Sequence, residues 1–77
     1  MKIKLSFAPF LGIDKALNHT WYDIDDSATL ADLYRELPIT DTYRKYLLAI
    51  VNERHEKPAH KLEDGDKVHI YYPVAGG

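Results

Sequence analysis

The segment of this sequence best suited to chemistry is its last seven residues, which read YYPVAGG. After Pro73 the residues are small and uncharged, and the chain ends on Gly76 and Gly77. The last permanently charged side chain is Lys67, so the terminal carboxylate follows a long uncharged stretch. Because short uncharged termini are often merely disordered, the tail indicates a function only if the rest of the sequence supports one.

Two other groups of residues have the types found in metal or catalytic sites. His55 and His60 lie close together in sequence with Glu56 nearby, but this loop pair of histidines has no third ligand at a suitable spacing. We therefore expect solvated histidines and no bound metal. The acidic stretch at residues 23–26 precedes a predicted helix, where carboxylates favour turns and the helix dipole. We interpret it as turn chemistry and not as a catalytic pair.

Length, charge and cysteine content limit the class of protein. A chain of 77 residues forms one small domain, in which a deep enclosed active site is not expected. The net charge of -2 does not favour nucleic acid as a partner. The absence of cysteine excludes thiolate metal sites and a thiol nucleophile. No apolar run approaches the roughly 20 residues of a membrane span, so we expect a cytoplasmic protein without a membrane partner.

An opening hairpin is predicted by alternating residues. Ile3, Leu5 and Phe7 alternate with polar side chains, which is the period of a strand with one buried face. APFLGID at residues 8–14 interrupts the pattern, and HTWYDID at residues 19–25 resumes it. We expect two strands joined by a long loop, with Phe7 in the core.

A helical period follows in TLADLYREL at residues 29–37. Its apolar side chains share one helical face, formed by Leu30, Leu33, Tyr34 and Leu37. Thr29 and Asp32 have the spacing of a capping box, and Pro38 ends the helix. DTYRKY at residues 41–46 is expected to add a further helical turn.

Two more strands are predicted in the second half of the chain. LLAIV at residues 47–51 has the composition of a buried strand that ends at Asn52. After a polar stretch, EDGD at residues 63–66 predicts a turn in which Gly65 takes a positive φ. KVHIYY at residues 67–72 predicts a last strand that runs directly into the tail.

Several of these residues resemble the MoaD/ThiS family of sulfur-carrier proteins, over nearly the whole chain. The most specific matches are VN at residues 51–52, L-x-D-G-D-x-V at residues 62–68 and P-V-A-G-G at residues 73–77. The similarity is greatest to the small subunit of molybdopterin synthase. It implies an α+β, β-grasp (ubiquitin-like) fold, a mixed sheet with one main helix packed on one face. The domain would span residues 1–72 and the flexible Gly-Gly tail residues 73–77.

The resemblance also implies a chemistry for the tail. A terminal carboxylate has a pKa of about 3.5, so at neutral pH it is an anion that must be activated before sulfur can replace oxygen. A ubiquitin-activating-type adenylating enzyme (MoeB/ThiF-like) would use ATP to form an acyl-adenylate at Gly77. A persulfide donor would then convert it to a thiocarboxylate. The protein would be a carrier and not an enzyme, with no bound cofactor of its own.

Each residue of the tail suits insertion into a partner. Gly76 and Gly77 lack a Cβ and so fit a narrow channel, while Pro73 stiffens the base of the tail. An uncharged segment avoids burying an unpaired ion. Residues 73–77 reach about 16 Å when extended, at roughly 3.3 Å per residue. The residues expected to contact partners are Tyr71, Tyr72, Pro73, Val74 and Ala75.

The last strand is expected to have two different faces. Val68 and Ile70 should point into the core, which leaves His69 and Tyr71 on the other face. Tyr71 matches a position where relatives carry an exposed aromatic residue that contacts partners. Tyrosine also suits the plain covering of a sheet surface, and both interpretations stay open.

Three departures from the family pattern bear on the partner. Tyr72 stands where many relatives have proline, the loop after the first strand lacks an arginine, and Glu53 follows Asn52 where glycine is common. The leading hypothesis is the small, non-catalytic subunit of molybdopterin synthase, acting with a MoaE-like large subunit in molybdenum cofactor biosynthesis. Alternatives are a carrier for thiamin or tRNA thiolation, a ubiquitin-like protein modifier, or a β-grasp interaction module with an idle tail.

Overall fold

A five-stranded mixed sheet forms one layer of the protein, whose computed structural model describes residues 1–73. In spatial order the strands are β2-β1-β5-β3-β4. Their bounds are β1 Lys2–Phe7, β2 Thr20–Asp23, β3 Leu48–Val51, β4 Arg54–Glu56 and β5 Lys67–Tyr71. Only β1 and β5 run parallel among the paired strands of this described part.

The helices lie in the connections between the strands. α1 spans Leu30–Glu36 and α2 spans Asp41–Arg44, so the expected extra helical turn is confirmed. Two short 3-10 turns, at Pro9–Leu11 and Lys15–Leu17, fill the loop of the opening hairpin. Within residues 1–73, none of the helices combines the length and the apolar character needed to cross a membrane.

The opening hairpin follows the predicted alternation. Ile3, Leu5 and Phe7 are buried, and Ile3 pairs with Tyr22 in antiparallel register. At the end of β1 the Asn18 side-chain amide takes the place of a strand partner. Its Oδ1 accepts a hydrogen bond from the Phe7 N–H and its Nδ2 donates to the Phe7 carbonyl, each at 3.0 Å. The core position predicted for Phe7 is confirmed.

The capping box of α1 is present as predicted. The Thr29 N–H donates to Oδ2 of Asp32 at 2.9 Å, and the Asp32 N–H donates to the Thr29 hydroxyl at 3.3 Å. The hydrogen bond from the Thr29 backbone is the main cause that lowers the pKa of Asp32. At the other end, the Arg44 guanidinium donates to the carbonyls of Tyr34 and Leu37, at 2.7 and 2.8 Å. These bonds satisfy carbonyls that a helix end leaves free, and they hold α2 against α1.

The strand at residues 48–51 differs from the prediction, because only one of its faces is buried. Ala49 and Val51 are 1% and 4% exposed, whereas Leu48 is 39% exposed and Ile50 is half-buried. The reason is that the core lies on one side of the sheet only. The apolar run at residues 47–51 therefore predicted the strand correctly, but the prediction that the strand is buried holds for one of its faces only.

The short strand β4 was not predicted. It pairs with β3 through a two-residue turn at Asn52 and Glu53, whose φ angles are +50° and +72°. Two successive positive φ angles are typical of a type I′ hairpin turn, which usually has glycine at the second position. Because this position is Glu53 and not glycine, the sequence lacks the usual signal for such a turn.

The core fills the space between the sheet and α1. The residues fully enclosed in it come from strands, helix and loops alike: Ile3, Leu5, Leu11, Leu30, Leu33, Leu37, Leu62, Val68 and Ile70. This arrangement of a mixed sheet with one main helix on one face confirms the predicted α+β, β-grasp fold. The opposite face of the sheet, called the open face below, is left without a covering helix in residues 1–73.

Candidate functional site

The strand that carries the tail is the central strand of the sheet. β5 lies between β1 and β3, and its last residue, Tyr71, pairs with Leu48 at the start of β3. On the other side, the Ala8 N–H donates to the Ile70 carbonyl at 3.0 Å. The chain therefore leaves the sheet with hydrogen-bonded neighbours on both sides up to Tyr71.

Asn52 of the VN motif ties the β3–β4 turn to the start of β5. Its Nδ2 donates to Oδ1 of Asp66 at 2.8 Å, and its Oδ1 accepts from the Lys67 N–H at 2.9 Å. The Asn52 N–H in turn donates to the Lys67 carbonyl at 2.9 Å. The motif asparagine is thus a structural link between the turn and the strand.

The D-G-D motif joins the starts of β1 and β5. Oδ1 of Asp64 accepts from the Lys2 N–H, and the Gly65 N–H donates to the Lys2 carbonyl, both at 2.8 Å. The Lys4 N–H donates to the Asp66 carbonyl at 2.8 Å. Gly65 has a φ of +87°, as predicted, which any residue with a Cβ adopts only under strain. This motif sets the parallel pairing that places β5 in the centre of the sheet.

The two faces of β5 are those predicted. Val68 and Ile70 are 1% and 0% exposed, while His69 and Tyr71 are half-buried on the open face. Tyr71 is held by a neighbour, because its hydroxyl lies 2.6 Å from Nε2 of His55. Its ring also stacks on the His69 ring, with centroids 6.0 Å apart.

Large apolar side chains remain accessible on the open face. Trp21 is 54% exposed, and Nζ of Lys4 lies 5.4 Å from its ring centroid. Leu48 is 39% exposed beside Tyr71. Exposed aromatic and aliphatic side chains of this size are frequent in protein interfaces, so the open face is a candidate docking surface.

Three aromatic rings form a row at the base of the tail. The ring of Tyr72 packs edge-on against Tyr43, with centroids 4.9 Å apart at 66°. Tyr43 packs edge-on against Phe10 at 5.4 Å and 61°. Pro73 follows and is exposed. We call Phe10, Tyr43 and Tyr72 the aromatic row.

The aromatic row contains two residues that the sequence did not identify as part of the site. Phe10 had a weak signal, because it follows β1. Since β1 runs parallel to β5, the end of β1 lies near the base of the tail. Tyr43 had none, since it lies in a short helix far from the tail in sequence. The remaining predicted contact residues and the reactive ones, Val74, Ala75, Gly76 and Gly77, lie outside the described residues.

The histidines and acidic residues that we did not interpret as a metal site or a catalytic pair make local ion pairs and hydrogen bonds. Nδ1 of His60 lies 2.8 Å from Oε2 of Glu56. Asp25 accepts hydrogen bonds from the backbone and side chain of Ser27, and the backbone bond is the main cause that lowers its pKa. In residues 1–73, no three His, Cys, Asp or Glu side chains are grouped to hold a metal ion.

A body of this fold whose central strand leads into a Gly-Gly tail defines a small ubiquitin-like carrier. The chain belongs to the ThiS family, whose sequence profile matches residues 15–77. Membership supports a general role as a sulfur carrier. Carriers of this type are generally non-catalytic and interact with adenylating enzymes of the ubiquitin-activating type.

Two solved structures share the fold. The solution structure of the HVO 2177 protein of Haloferax volcanii is 30% identical in sequence and has a TM-score of 0.70. That match covers 100% of this chain and 87% of the other chain. The crystal structure of SAMP1 from Haloferax volcanii is 16% identical in sequence and has a TM-score of 0.66, and the match covers 100% of both chains. At this identity the second match supports the fold alone. A comparison with curated protein sequences found no match.

Proposed function

We propose that this protein carries sulfur as a thiocarboxylate at Gly77 and delivers it in molybdopterin biosynthesis. The observation that carries the proposal is the course of β5, which the family motifs hold in the centre of the sheet and which leads straight into the Gly-Gly tail. The fold thus supplies a rigid support for the tail. In this proposal the catalytic groups belong to the partner enzymes.

The proposed chemistry proceeds in two stages. A carboxylate oxygen of Gly77 attacks the α-phosphate of ATP on the adenylating enzyme (MoeB/ThiF-like), which releases pyrophosphate and leaves an acyl-adenylate. The terminal sulfur of a persulfide donor then attacks the carbonyl carbon and releases AMP. A thiol reduces the resulting acyl disulfide, which leaves the thiocarboxylate on Gly77 and a disulfide on the donor side.

The proposed acceptor pathway rests on the resemblance to the molybdopterin synthase small subunit. The tail would enter a pocket of the MoaE-like large subunit, while the open face remains outside it and supplies contact area. The tail by itself is too short to provide the affinity. Another acceptor, in thiamin or tRNA thiolation, would use the same activation and a different partner.

Activation is tested by changing the terminus. Deleting Gly77, or adding one alanine after it, should abolish ATP–pyrophosphate exchange by the adenylating enzyme of the same organism. Gly76→Val should reduce it strongly, because a branched side chain does not fit a channel shaped for glycine. All variants should keep the wild-type melting temperature. Undiminished exchange by the deletion variant would exclude the carrier chemistry.

The pathway is tested separately. Thiocarboxylated protein is mixed with the large subunit of molybdopterin synthase and the pterin precursor, and dithiolene formation is followed. Dithiolene supports the molybdopterin assignment. If a tRNA or a thiazole precursor gains sulfur from Gly77 instead, the carrier role stands and the molybdopterin assignment fails.

A further inference from the structure

The row formed by Phe10, Tyr43 and Tyr72 connects the base of the tail to α2 and to the turn that follows β1. Tyr72 is the residue directly after β5, and its ring lies 4.9 Å from that of Tyr43. Tyr43 contacts Phe10 on its other side at 5.4 Å. Edge-to-face pairs at these separations are favourable beyond their buried area. The first residue outside the sheet is therefore still held by the body.

The other two rings of the aromatic row lie on anchored segments. Tyr43 lies in α2, and the next residue, Arg44, is bonded to the carbonyls of Tyr34 and Leu37. The turn that holds Phe10 is bonded to α2 through the Thr40 N–H and the Leu11 carbonyl, at 2.9 Å. The backbone segments that carry Phe10 and Tyr43 are thus held in place by hydrogen bonds.

Gly12 allows the close approach of this turn to α2. It has a φ of +92°, and a Cβ built on it would clash with Oγ1 of Thr40 and lie 3.2 Å from the Thr40 backbone N. Any other residue would strain the backbone and push the turn away from Thr40. The local sequence is therefore adapted to bring Phe10 and Tyr43 together.

We propose that Tyr43 is a positioning residue that orients the tail where it leaves the body. This inference rests on the proposed carrier function. Pro73 fixes its own φ and biases Tyr72 toward extended geometry, but it does not fix the φ of Tyr72, the first torsion angle after β5 and hence the one that sets the direction of the chain relative to the sheet. The contact with Tyr43 supplies that direction. A tail that starts in a fixed direction loses less conformational freedom when a partner binds it.

The test measures ATP–pyrophosphate exchange with the adenylating enzyme, with the carrier as varied substrate. Tyr43→Leu keeps an apolar side chain but removes the ring, so KM for the carrier should rise about 5- to 30-fold, the cost of ordering roughly one residue, while kcat stays within about twofold. Tyr43→Phe keeps the ring and should behave as wild type. Tyr46→Leu is the matched control, since the ring of Tyr46 is 63% exposed.

A second substitution separates orientation from stability. In the Tyr43→Leu background, Tyr72→Pro fixes φ at the base of the tail without restoring any aromatic contact. It should return KM toward the wild-type value while the melting temperature stays at that of Tyr43→Leu. If KM and melting temperature change together in every variant, Tyr43 has only a structural role and the proposal is overturned.

The two proposals fail in different ways. If wild-type protein supports no exchange, the carrier function itself fails, and the inference fails with it. If wild type is active and folded Tyr43→Leu has the same KM, only the positioning role is lost. As a readout independent of the enzyme, the amide order parameter of Tyr72 should fall in Tyr43→Leu and not in Tyr46→Leu.

Discussion

The side-chain amide of Asn52 and the carboxylate of Asp66 are joined by a hydrogen bond of 2.8 Å that links the β3–β4 turn to β5. Asp66 is 8% exposed, and its second oxygen accepts from the Glu63 N–H at 2.8 Å. The carboxylate is therefore satisfied although it is buried. Because loss of Asn52 leaves a buried carboxylate oxygen without its donor, this pair should contribute measurably to stability.

Asn52→Gly tests that contribution, because glycine keeps the positive φ and removes only the amide. We expect the free energy of unfolding, measured in urea, to fall by about 1.5–3 kcal/mol, the range for bonds to charged groups. Asp66→Ala should have a similar effect. The double variant should lose less than the sum of the two, and strict additivity would show that the residues act independently.

Glu53 offers a stabilising substitution. Its φ of +72° is costly for a residue with a Cβ, and the second position of a type I′ turn favours glycine. Glu53→Gly should raise the free energy of unfolding by about 1 kcal/mol. Glu53→Ala removes the same charge but keeps the Cβ, so it should not stabilise. Equal stabilisation by both would assign the effect to charge.

Ile70 and Tyr71 are neighbours on opposite faces of β5 and should respond differently to truncation. Ile70→Ala removes a fully buried side chain and should cost about 2–5 kcal/mol of stability. Tyr71→Ala uncovers half-buried surface and should cost less. It should weaken a complex formed through the open face by about 1–3 kcal/mol, measured by calorimetry. Unchanged affinity for every partner would make Tyr71 a covering residue only.

Tyr34 should make the protein sensitive to high pH. Burial raises the pKa of its hydroxyl from 10.0 to about 12. Between these values the folded protein keeps a proton that the unfolded chain loses, so stability falls as the pH rises from 10 toward 12. Tyr34→Phe should reduce this decline in urea titrations at each pH. Identical pH profiles for wild type and Tyr34→Phe would contradict the assignment.

The parts of the fold that the sequence predicts are those set by local chemistry. The alternation of Ile3, Leu5 and Phe7 reports one buried face directly, and the Thr29–Asp32 spacing reports a cap. Gly65 reports a backbone conformation that other residues avoid. Each of these signals comes from a few neighbouring residues and needs no knowledge of the partners.

The parts that it does not predict depend on distant pairing. β4 is short, polar and without a glycine at its turn, so nothing local distinguishes it from a loop. Since His55 lies in β4, its contact with Tyr71 could not be foreseen either. The contact of Tyr43 with Tyr72 arises only once α2 and β5 are placed in space. The sequence therefore predicted the site residues that follow one another in β5. It did not predict their contacts with residues of other elements, namely His55 and Tyr43.

The last strand within residues 1–73 is also the central one, and this order constrains folding during synthesis. Until residues up to Tyr71 have left the ribosome, β1 and β3 lack the strand that joins them, and the sheet cannot close. Domains made during translation fold as units once their long-range contacts are available. A chain that terminates before Tyr71 therefore lacks part of the central strand and does not fold completely. This limits the number of folded molecules that lack the tail and could compete with the carrier for its partner.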